Sequence, residues 1–298
     1  MTLCKMDKDK LMISKPISVY LQHVLPQHLI SQLSGYIAHI RQPKVKQYII
    51  DRFISHYGVQ LADAERSNPQ DYLHFSDFFT RKLKPGSRPF DSDPNQLIFP
   101  CDGGIYEAGS LSTNALLKVK QSHFNLESLV GDAQTATTFH NGHFIIHYLS
   151  PKDYHRVHMP TEGQLSWMRY VPGKLFSVSL KNAPHIPNVF SRNERIILYF
   201  NTSKGPFICI LVGAFNVGSI HTTWAGDVAP STSEMTTFRY DTQASEGQIY
   251  FNKGQEIGYF NFGSTVICLF PQDQVTLQEG LMPGVPIKMG ELMAKYNE

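Results

Sequence analysis

The feature that most constrains the fold is a succession of short apolar or alternating runs, punctuated by glycine, that begins near Gln96 and continues almost to the end of the chain. Runs of this length, rich in Ile, Val, Phe and Tyr, are typical of β-strands. No ten-residue amphipathic helices alternate with them, which argues against a parallel α/β sheet and predicts a sandwich or barrel. The runs are LIFPCDGGIYEAG, HFIIHYLS, RIILYF, FICILVGAFNVGSI, GQIYF, QEIGYF and STVICLF.

The N-terminal part of the chain follows a different pattern. From Ile17 to Phe53, apolar residues recur at helical spacing in three runs, which Pro16, Pro26 and Pro43 separate. This spacing predicts three short amphipathic helices. Such helices either pack on the main domain as a helical hairpin or lie in a membrane interface, and periodicity alone leaves both readings open.

These two patterns together predict an α+β fold. N-terminal amphipathic helices, in a region of residues 1–60, are expected to pack on a predominantly antiparallel β sandwich or barrel-like catalytic domain of residues 61–298. A connecting segment, DYLHFSDFFTRKLKPGSRP, lies near the boundary. Within it, Ser76 followed by aromatic residues predicts a short capped helix, and Pro85 with Gly86 predicts a turn.

Charge and cysteine usage limit the classes of partner and compartment. The net charge is only +2, so no strong basic field favours nucleic acid, although residues 1–60 hold eight Lys and Arg against three Asp. The four cysteines lie far apart and form no CxxC pair, which favours reduced thiols in a cytoplasmic compartment. The first residues lack the apolar stretch and cleavage site of a signal peptide, and no run of 18 apolar residues occurs in the sequence. We therefore expect a protein that is neither secreted nor transmembrane.

Five histidines fall between positions 140 and 158, and YLSPKDYHRVHMP places His155 and His158 close to Asp153. On an extended strand, His143 and His147 would share one face, whereas His155 and His158 would lie in or just after a turn. A metal site would need several of these rings to converge with a carboxylate, and HxxH in a loop fixes no such geometry. We therefore predict no metal site.

Two further segments combine glycine with a reactive side chain. In IFPCDGGIYE, Asp102 precedes two glycines, which alone predicts a hairpin turn. In NFGSTVICLF, Gly263 leaves its carbonyl sterically open to the hydroxyl of Ser264. A serine hydroxyl becomes a good nucleophile when a neutral His takes its proton and a carboxylate orients that His. Asp102, a His between 155 and 158, and Ser264 are therefore a possible triad.

These segments, in this order and over nearly the whole chain, resemble the bacterial phosphatidylserine decarboxylase proenzymes. The similarity is most specific at DYHRVHMP and at the GST segment, and it extends to FSDFFTRKLKPGSRP, FPCDGGI, YVPGKLFSV, NVFSRNERIILYF and LVGAFNVGSIHTTWAG. One departure is Phe262, where the family commonly has Leu. Because the exchange is apolar for apolar and the Gly263-Ser264 pair is intact, we expect altered packing or processing rate rather than lost activity.

The resemblance implies a self-processing enzyme. Ser264 would attack the Gly263 carbonyl, with His158 as general base and Asp102 holding His158. The products would be a β chain of residues 1–263 and an α chain of residues 264–298, whose first residue becomes a covalent pyruvoyl group. A Schiff base between this group and the substrate would let CO₂ leave phosphatidylserine, with His155 as proton donor, to give phosphatidylethanolamine.

The same resemblance implies partners and a location. Phosphatidylserine is the expected substrate, and an anionic membrane surface is the expected docking partner of the N-terminal helices. The α chain would remain with the β chain, and a homodimer of the αβ unit is expected. These properties imply a peripheral protein on the cytoplasmic face of the cell membrane.

Two alternatives from other classes remain at this point. A serine hydrolase could use the same triad on exogenous esters or peptides, although the chain has no GxSxG elbow. A carrier-like β-domain or membrane-surface scaffold could account for the glycine-punctuated hairpins near the C-terminus, but no Lys stands at a hairpin tip in the pattern that lipoyl and biotinyl carriers use.

Overall fold

The computed structural model describes residues 19, 22, 24–111, 116–119, 122–214, 219–228, 233–241, 248–261 and 263–298. Its helices precede or flank a set of antiparallel sheets, so the predicted α+β class is confirmed. The sheets stack as in a sandwich, and within the described ranges no sheet closes into a barrel.

The described elements comprise six α-helices, two 3₁₀ turns and eighteen strands. The helices are α1 (Gln27–Ala38), α2 (Pro43–Tyr57), α3 (Phe75–Phe79), α4 (Leu126–Val130), α5 (Ala133–Thr138) and α6 (Val189–Arg192), and the 3₁₀ turns are Pro69–Asp71 and Ala183–His185. The strands are β1 (Gln96–Ile98), β2 (Gly103–Ser110), β3 (Leu116–Val119), β4 (Ser122–Asn125), β5 (His143–Leu149), β6 (Arg156–His158), β7 (Gly163–Val171), β8 (Arg195–Thr202), β9 (Gly205–Val212), β10 (Ile220–Thr222), β11 (Gly226–Asp227), β12 (Thr236–Arg239), β13 (Tyr250–Phe251), β14 (Glu256–Phe260), β15 (Ser264–Phe270), β16 (Val275–Leu277), β17 (Pro286–Ile287) and β18 (Leu292–Tyr296).

The largest sheet has the order β12-β7-β8-β9-β15-β5-β2-β17, with β13 also paired to β7. Strand β15 lies in the middle of it, between β5 and β9, and all seven of its residues are buried. Because side chains alternate between the two faces of a strand, burial of every residue requires cover on both faces. The run STVICLF is accordingly apolar almost throughout, as expected of a central strand.

Strand β5 runs from His143 to Leu149, so His143 and His147 lie on the same face of the strand, as predicted. His147 is fully buried, and so are Phe144 and Ile146 on the other face of the strand. The strand lies between β2 and β15, with both faces covered. His147 therefore belongs to the packed interior, whereas His143, at the start of the strand, is only half-buried.

Two of the three predicted N-terminal helices are confirmed as α1 and α2. The first predicted run lies mostly outside the described residues, although Val19, Gln22 and Val24 are helical. Helix α2 begins with Pro43 at its first position, where proline costs no hydrogen bond, and ends at Gly58 in the left-handed conformation. A second hydrophobic cluster forms between these helices and α3, separate from the main core; its buried members are Ala38, Ile50, Val59, Tyr72, Phe75, Phe78 and Phe79.

The short helix predicted near Ser76 is present as α3, but its cap is different. His74 is the N-cap, and its Nδ1 accepts a hydrogen bond from the Asp77 backbone 3.1 Å away. Ser76 instead lies in the first turn, where its hydroxyl donates to the Asn261 side chain at 3.1 Å. This contact ties α3 to the chain just before Gly263.

The Asp102-Gly103 pair does not form the hairpin that its sequence predicted. Gly103 opens β2, which pairs with β5 and β17, whereas the preceding strand β1 pairs with β18. The glycine is required there for another reason, since a Cβ at position 103 would lie 2.3 Å from the Tyr148 carbonyl oxygen. The close approach of two backbones, not a tight turn, explains this glycine.

A four-stranded sheet of order β11-β10-β14-β6 carries the chain into the Gly263 region. Gly258 lies at an irregularity in the β14–β6 pairing, and Gly254 forms a left-handed turn. Three cysteines, Cys101, Cys209 and Cys268, are free, as predicted, and all three are buried; Cys4 lies outside the described residues.

Candidate active site

The Gly263-Ser264 pair lies at the start of the central strand β15. Ser264 is fully buried opposite Leu149 of β5, and its Oγ has no hydrogen-bond partner. A buried hydroxyl without a partner is unfavourable, and such groups concentrate at functional sites. A Cβ on Gly263 would meet only the Leu149 carbonyl oxygen, at 4.0 Å, so the space beside the Cα of Gly263 is open.

Gly263 borders a cavity of about 220 Å³ that reaches the N-terminal helices. Phe53 and Tyr57 of α2 and Phe79 of α3 form its aromatic side. Ser177 and Ser179 contribute polar groups from the segment that precedes the 3₁₀ turn of residues 183–185. The cavity therefore joins the helical region to the Gly263-Ser264 bond, with an apolar wall and a few hydroxyl groups.

His155 lies close to the backbone that leads into this bond. Its carbonyl accepts a hydrogen bond of 3.1 Å from the Phe260 amide, three residues before Gly263. The imidazole is fully buried, and its ring centre lies 4.1 Å from that of Phe79. Phe79 lines the cavity, so His155 lies directly behind this part of the cavity wall.

The hydrogen bonding of His155 fixes its tautomer. Nδ1 lies 2.9 Å from the Asp153 carbonyl, which can only accept, so Nδ1 carries the proton. Nε2 consequently has a free lone pair in the neutral ring, and it is buried without a partner. Burial, together with the nearby charge of Arg81, lowers the pKa of His155 to about 3. The ring is neutral at physiological pH.

His158 has a different environment on β6. Its Nδ1 donates to the Gly254 carbonyl at 2.8 Å, and its Nε2 accepts from the Tyr154 hydroxyl at 2.9 Å. Burial lowers the pKa of His158, and the Gly254 carbonyl and the charge of Glu256 oppose this effect. The basic lone pair of His158 is thus directed at a tyrosine hydroxyl.

Asp102 is held by a cation rather than by a histidine. Arg88 donates to its two oxygens from Nε at 3.0 Å and from Nη2 at 2.6 Å, and the Met289 amide donates to it at 2.9 Å. The hydrogen bond to Asp102 is the main reason why the pKa of Arg88 is raised, and a second carboxylate, Asp63, adds to the effect. Such bidentate pairs hold a carboxylate in one orientation.

The structure therefore brings the predicted residues into one region without completing the triad. Burial keeps the pKa of His158 below its ordinary value, and the charge of Asp102 opposes this effect only as the smallest of several contributions. The hydrogen bonds of Asp102 and of His158 go to other groups, and the Ser264 hydroxyl makes none. Of the two histidines, it is His155 whose backbone carbonyl accepts a hydrogen bond from Phe260, three residues before Gly263.

Three residues around these groups were missed from the sequence. Tyr154 stands inside the DYHRVHMP segment, so its place in the motif was a usable signal. Arg88 lies in the predicted turn, and nothing in a turn sequence indicates a distant carboxylate partner. Arg81 is 4% exposed and donates through Nη2 to the carbonyls of Lys152 and Asp153, while its Nη1 has no partner.

The helices next to the cavity present an apolar outer surface. Large side chains of α1, α2 and the residues just before α1 are at least 40% exposed, namely Val24, Leu25, Leu29, Leu33, Tyr36, Ile37, Val45, Tyr48 and Tyr57, and so is Leu73 before α3. Lys44 and Arg52 are also exposed on α2. None of the helices in the described ranges has both the length and the hydropathy needed to cross a membrane.

Comparison with known proteins decides the family. A family model described as phosphatidylserine decarboxylase matches residues 75–295, and a second, described as PSD, matches residues 17–58. The chain belongs to the phosphatidylserine decarboxylase family. It is therefore a decarboxylase, and the hydrolase and carrier alternatives have no support from these matches.

Individual relatives agree over nearly their whole length. The chain is 46% identical to the phosphatidylserine decarboxylase proenzyme of Stutzerimonas stutzeri over 275 residues, which is 92% of each chain. It is 44% identical to the proenzyme of Actinobacillus pleuropneumoniae serotype 3 over 94% of this chain and 95% of the relative. It is 43% identical to the Pseudomonas aeruginosa proenzyme over 96% of this chain and 97% of the relative.

Two remaining sequence predictions concern parts of the site. Phe262, the expected departure from the family, lies outside the described residues. Within the described ranges, no group of three or more His, Cys, Asp and Glu side chains is arranged to hold a metal ion.

Proposed function

We propose that this enzyme converts phosphatidylserine to phosphatidylethanolamine and CO₂, and that it first matures by cutting itself between Gly263 and Ser264. The observation that carries the proposal is the buried, unpartnered hydroxyl of Ser264 beside a glycine that borders the cavity. In a chain whose relatives are named proenzymes, a hydroxyl kept at an energetic cost next to a glycine that lines the cavity is best explained as a nucleophile.

In this proposal the Ser264 oxygen attacks the Gly263 carbonyl carbon, and the peptide bond becomes an ester. Loss of a proton from Cα of residue 264 then breaks the bond between Cβ and the ester oxygen. Gly263 becomes a carboxylate, and residue 264 becomes a dehydroalanine. One water molecule replaces its nitrogen, which leaves as ammonia, so that a pyruvoyl group begins the α chain.

His158 and Asp102 are the proposed base and orienting carboxylate for the cleavage. The tautomer of His158 suits this role, because Nδ1 is held by Gly254 and the lone pair lies on Nε2. To accept the Ser264 proton, Nε2 must exchange the Tyr154 hydroxyl for that of the serine. Asp102 likewise acts by its charge in the present arrangement, since Arg88 occupies both of its oxygens.

The pyruvoyl group would supply an electron-poor carbonyl that condenses with the substrate amine and accepts the electron pair left by CO₂. His155 is the proposed proton donor to the carbon that CO₂ leaves. Its Nε2 must be protonated first, which burial and the charge of Arg81 disfavour. The phosphate and carboxylate of the substrate bring negative charge to this region, and that charge would raise the pKa of His155.

The proposed α chain stays with the β chain through strand pairing. Residues 264–298 contribute β15 to β18, and β15 pairs on both sides with strands of residues 1–263. Strand β17 also pairs with β2, and β18 pairs with β1. The two chains therefore share one core, and cleavage need not separate them.

We further propose that α1 and α2 rest on the surface of an anionic membrane. Their exposed apolar side chains and the basic residues of α2 fit an interfacial site, and the cavity beside Gly263 is lined by Phe53 and Tyr57 of α2. Replacing Leu29, Leu33 and Tyr36 by Ser should abolish flotation with vesicles that contain phosphatidylserine. Retained flotation would contradict this docking surface.

The test of the activity is a lipid assay with the purified enzyme. Phosphatidylserine in detergent micelles should lose one CO₂ per molecule, and phosphatidylethanolamine should appear in equal amount by mass spectrometry. The Ser264→Ala variant is the control and should produce none. Release of a fatty acid or of the headgroup instead would support the hydrolase alternative.

A further inference from the structure

Three successive backbone amides beside the cavity are bound by side chains rather than by a neighbouring strand. The Leu175 amide donates to the Oε1 of Gln27 at 2.7 Å, and the Ser177 amide donates to the Oε1 of Gln22 at 2.6 Å. Between them, the Phe176 amide donates to Asn193 at 3.0 Å. The segment 175–177 is thus held from two sides, by the β-domain through Asn193 and by the N-terminal region through the two glutamines.

The two glutamines are built into this contact. Gln22 is 7% exposed and Gln27 is 6% exposed, which is unusual for residues in a helical region near the N-terminus. The Nε2 of Gln27 also donates to the Gln22 backbone carbonyl at 2.7 Å, so the Gln27 side chain helps to fix the backbone that carries Gln22. Buried backbone amides need an acceptor, and here the N-terminal region supplies two of the three.

The segment that they hold forms a wall of the cavity beside Gly263. Ser177 and Ser179 both line it, and their hydroxyl groups lie 3.2 Å apart. A shift of the Leu175 and Ser177 amides would therefore move the polar side of the cavity. Gln27 begins α1, and the exposed Leu29 and Leu33 lie on the first two turns of the same helix.

We propose that Gln22 and Gln27 are positioning residues for the decarboxylation. By holding the Leu175 and Ser177 amides, they let the N-terminal helical region fix the position of this wall of the cavity. Contact of α1 with a lipid surface then acts on the cavity through these two side chains. The inference rests on the proposed function of the cavity, but its structural part can be tested without any activity.

The structural test is hydrogen exchange, followed by mass spectrometry of peptides that cover residues 173–180. In the Gln22→Met/Gln27→Met variant, the amides of Leu175 and Ser177 should exchange about tenfold faster, as expected for the loss of one ordinary hydrogen bond each. Gln32→Met is the matched control, because Gln32 is exposed on the same helix. It should exchange as the wild type does, and peptides from β15 should be unchanged in both variants.

Vesicles containing phosphatidylserine provide the second arm. Contact with lipid should steady α1 and slow exchange in residues 173–180 several-fold in the wild type, but not in the double variant. Unchanged exchange in the double variant, or no response of the wild type to vesicles, would overturn the proposal.

Kinetics separate positioning from anchoring. The double variant should float with vesicles as the wild type does, while kcat on micellar phosphatidylserine falls about tenfold and KM changes little. Equal kcat in the double variant and the wild type would refute the positioning role. If the wild type released no CO₂ at all, the proposed function would fail, whereas the exchange results would still decide whether the glutamines hold the wall.

Discussion

Two fully buried histidines make the stability of this protein sensitive to acid. Burial lowers the pKa of His147 from its ordinary 6.5 to about 4, against the opposing effect of its hydrogen bond to the Val266 carbonyl. Burial and Arg81 lower the pKa of His155 to about 3. Below pH 6.5 these two imidazoles bind protons in the unfolded chain but stay neutral in the folded chain. The free energy of unfolding therefore falls as the pH falls toward the two lowered pKa values.

The size of the effect follows from the two pKa values of each ring. For His147, with 6.5 in the unfolded chain and about 4 in the fold, the free energy of unfolding should fall by about 2 kcal/mol between pH 7 and pH 5. His155 should contribute a similar loss of about 2 kcal/mol over the same interval. Replacing His147 by Gln, which retains a donor for Val266, should remove the first contribution only.

The assay is urea unfolding at pH 7 and at pH 5, in the Ser264→Ala background so that every sample is one uncut chain. The His147→Gln variant should lose about 2 kcal/mol less than its parent on acidification. His56→Gln, at an exposed position on α2, is the control and should behave as the parent does. Equal losses in the parent and in His147→Gln would show that the pKa of His147 is the same in the folded and the unfolded chain, and the reasoning from burial would be wrong.

Three further substitutions test the site. Thr265→Val removes a second buried hydroxyl that has no partner and should raise the free energy of unfolding of the Ser264→Ala chain by about 1 kcal/mol; a lower value in urea would reveal a hidden partner. His155→Ala should allow cleavage, seen on a denaturing gel, while CO₂ release falls at least about a hundredfold; an uncut chain would move His155 into the processing role. Asp102→Asn should leave the chain uncut and, because Arg88 loses a bidentate carboxylate, should destabilise it by about 2 kcal/mol in urea. Normal cleavage in that variant would remove Asp102 from the proposed triad.

The division between N-terminal helices and antiparallel sheets could be predicted because it depends on local patterns. Helical spacing and flanking prolines predicted α1 and α2, and the run STVICLF predicted the buried strand β15. The hairpin expected at Asp102 was wrong because Asp-Gly is favourable in a tight turn and equally compatible with a close approach of two strands. That approach depends on β5, which lies some forty residues further along the chain.

The candidate site could be predicted as a set of residues but not as a set of contacts. Ser264, His155 and His158 were identified from motifs that are contiguous in the sequence. Their partners were not, because the pairing of Arg88 with Asp102 and of His158 with Tyr154 depends on how loops fold against strands. The role of Gln22 was also hidden, since a lone glutamine in an amphipathic run normally faces solvent.

The central claim is that Ser264 becomes the first residue of a new chain, and an intact mass spectrum of the purified protein tests it most directly. The account predicts two chains, residues 1–263 and residues 264–298, with the second lighter by one ammonia than a peptide that begins with serine. It also predicts that borohydride adds hydrogen to the second chain only. A single full-length mass that persists after incubation with phosphatidylserine vesicles would contradict it.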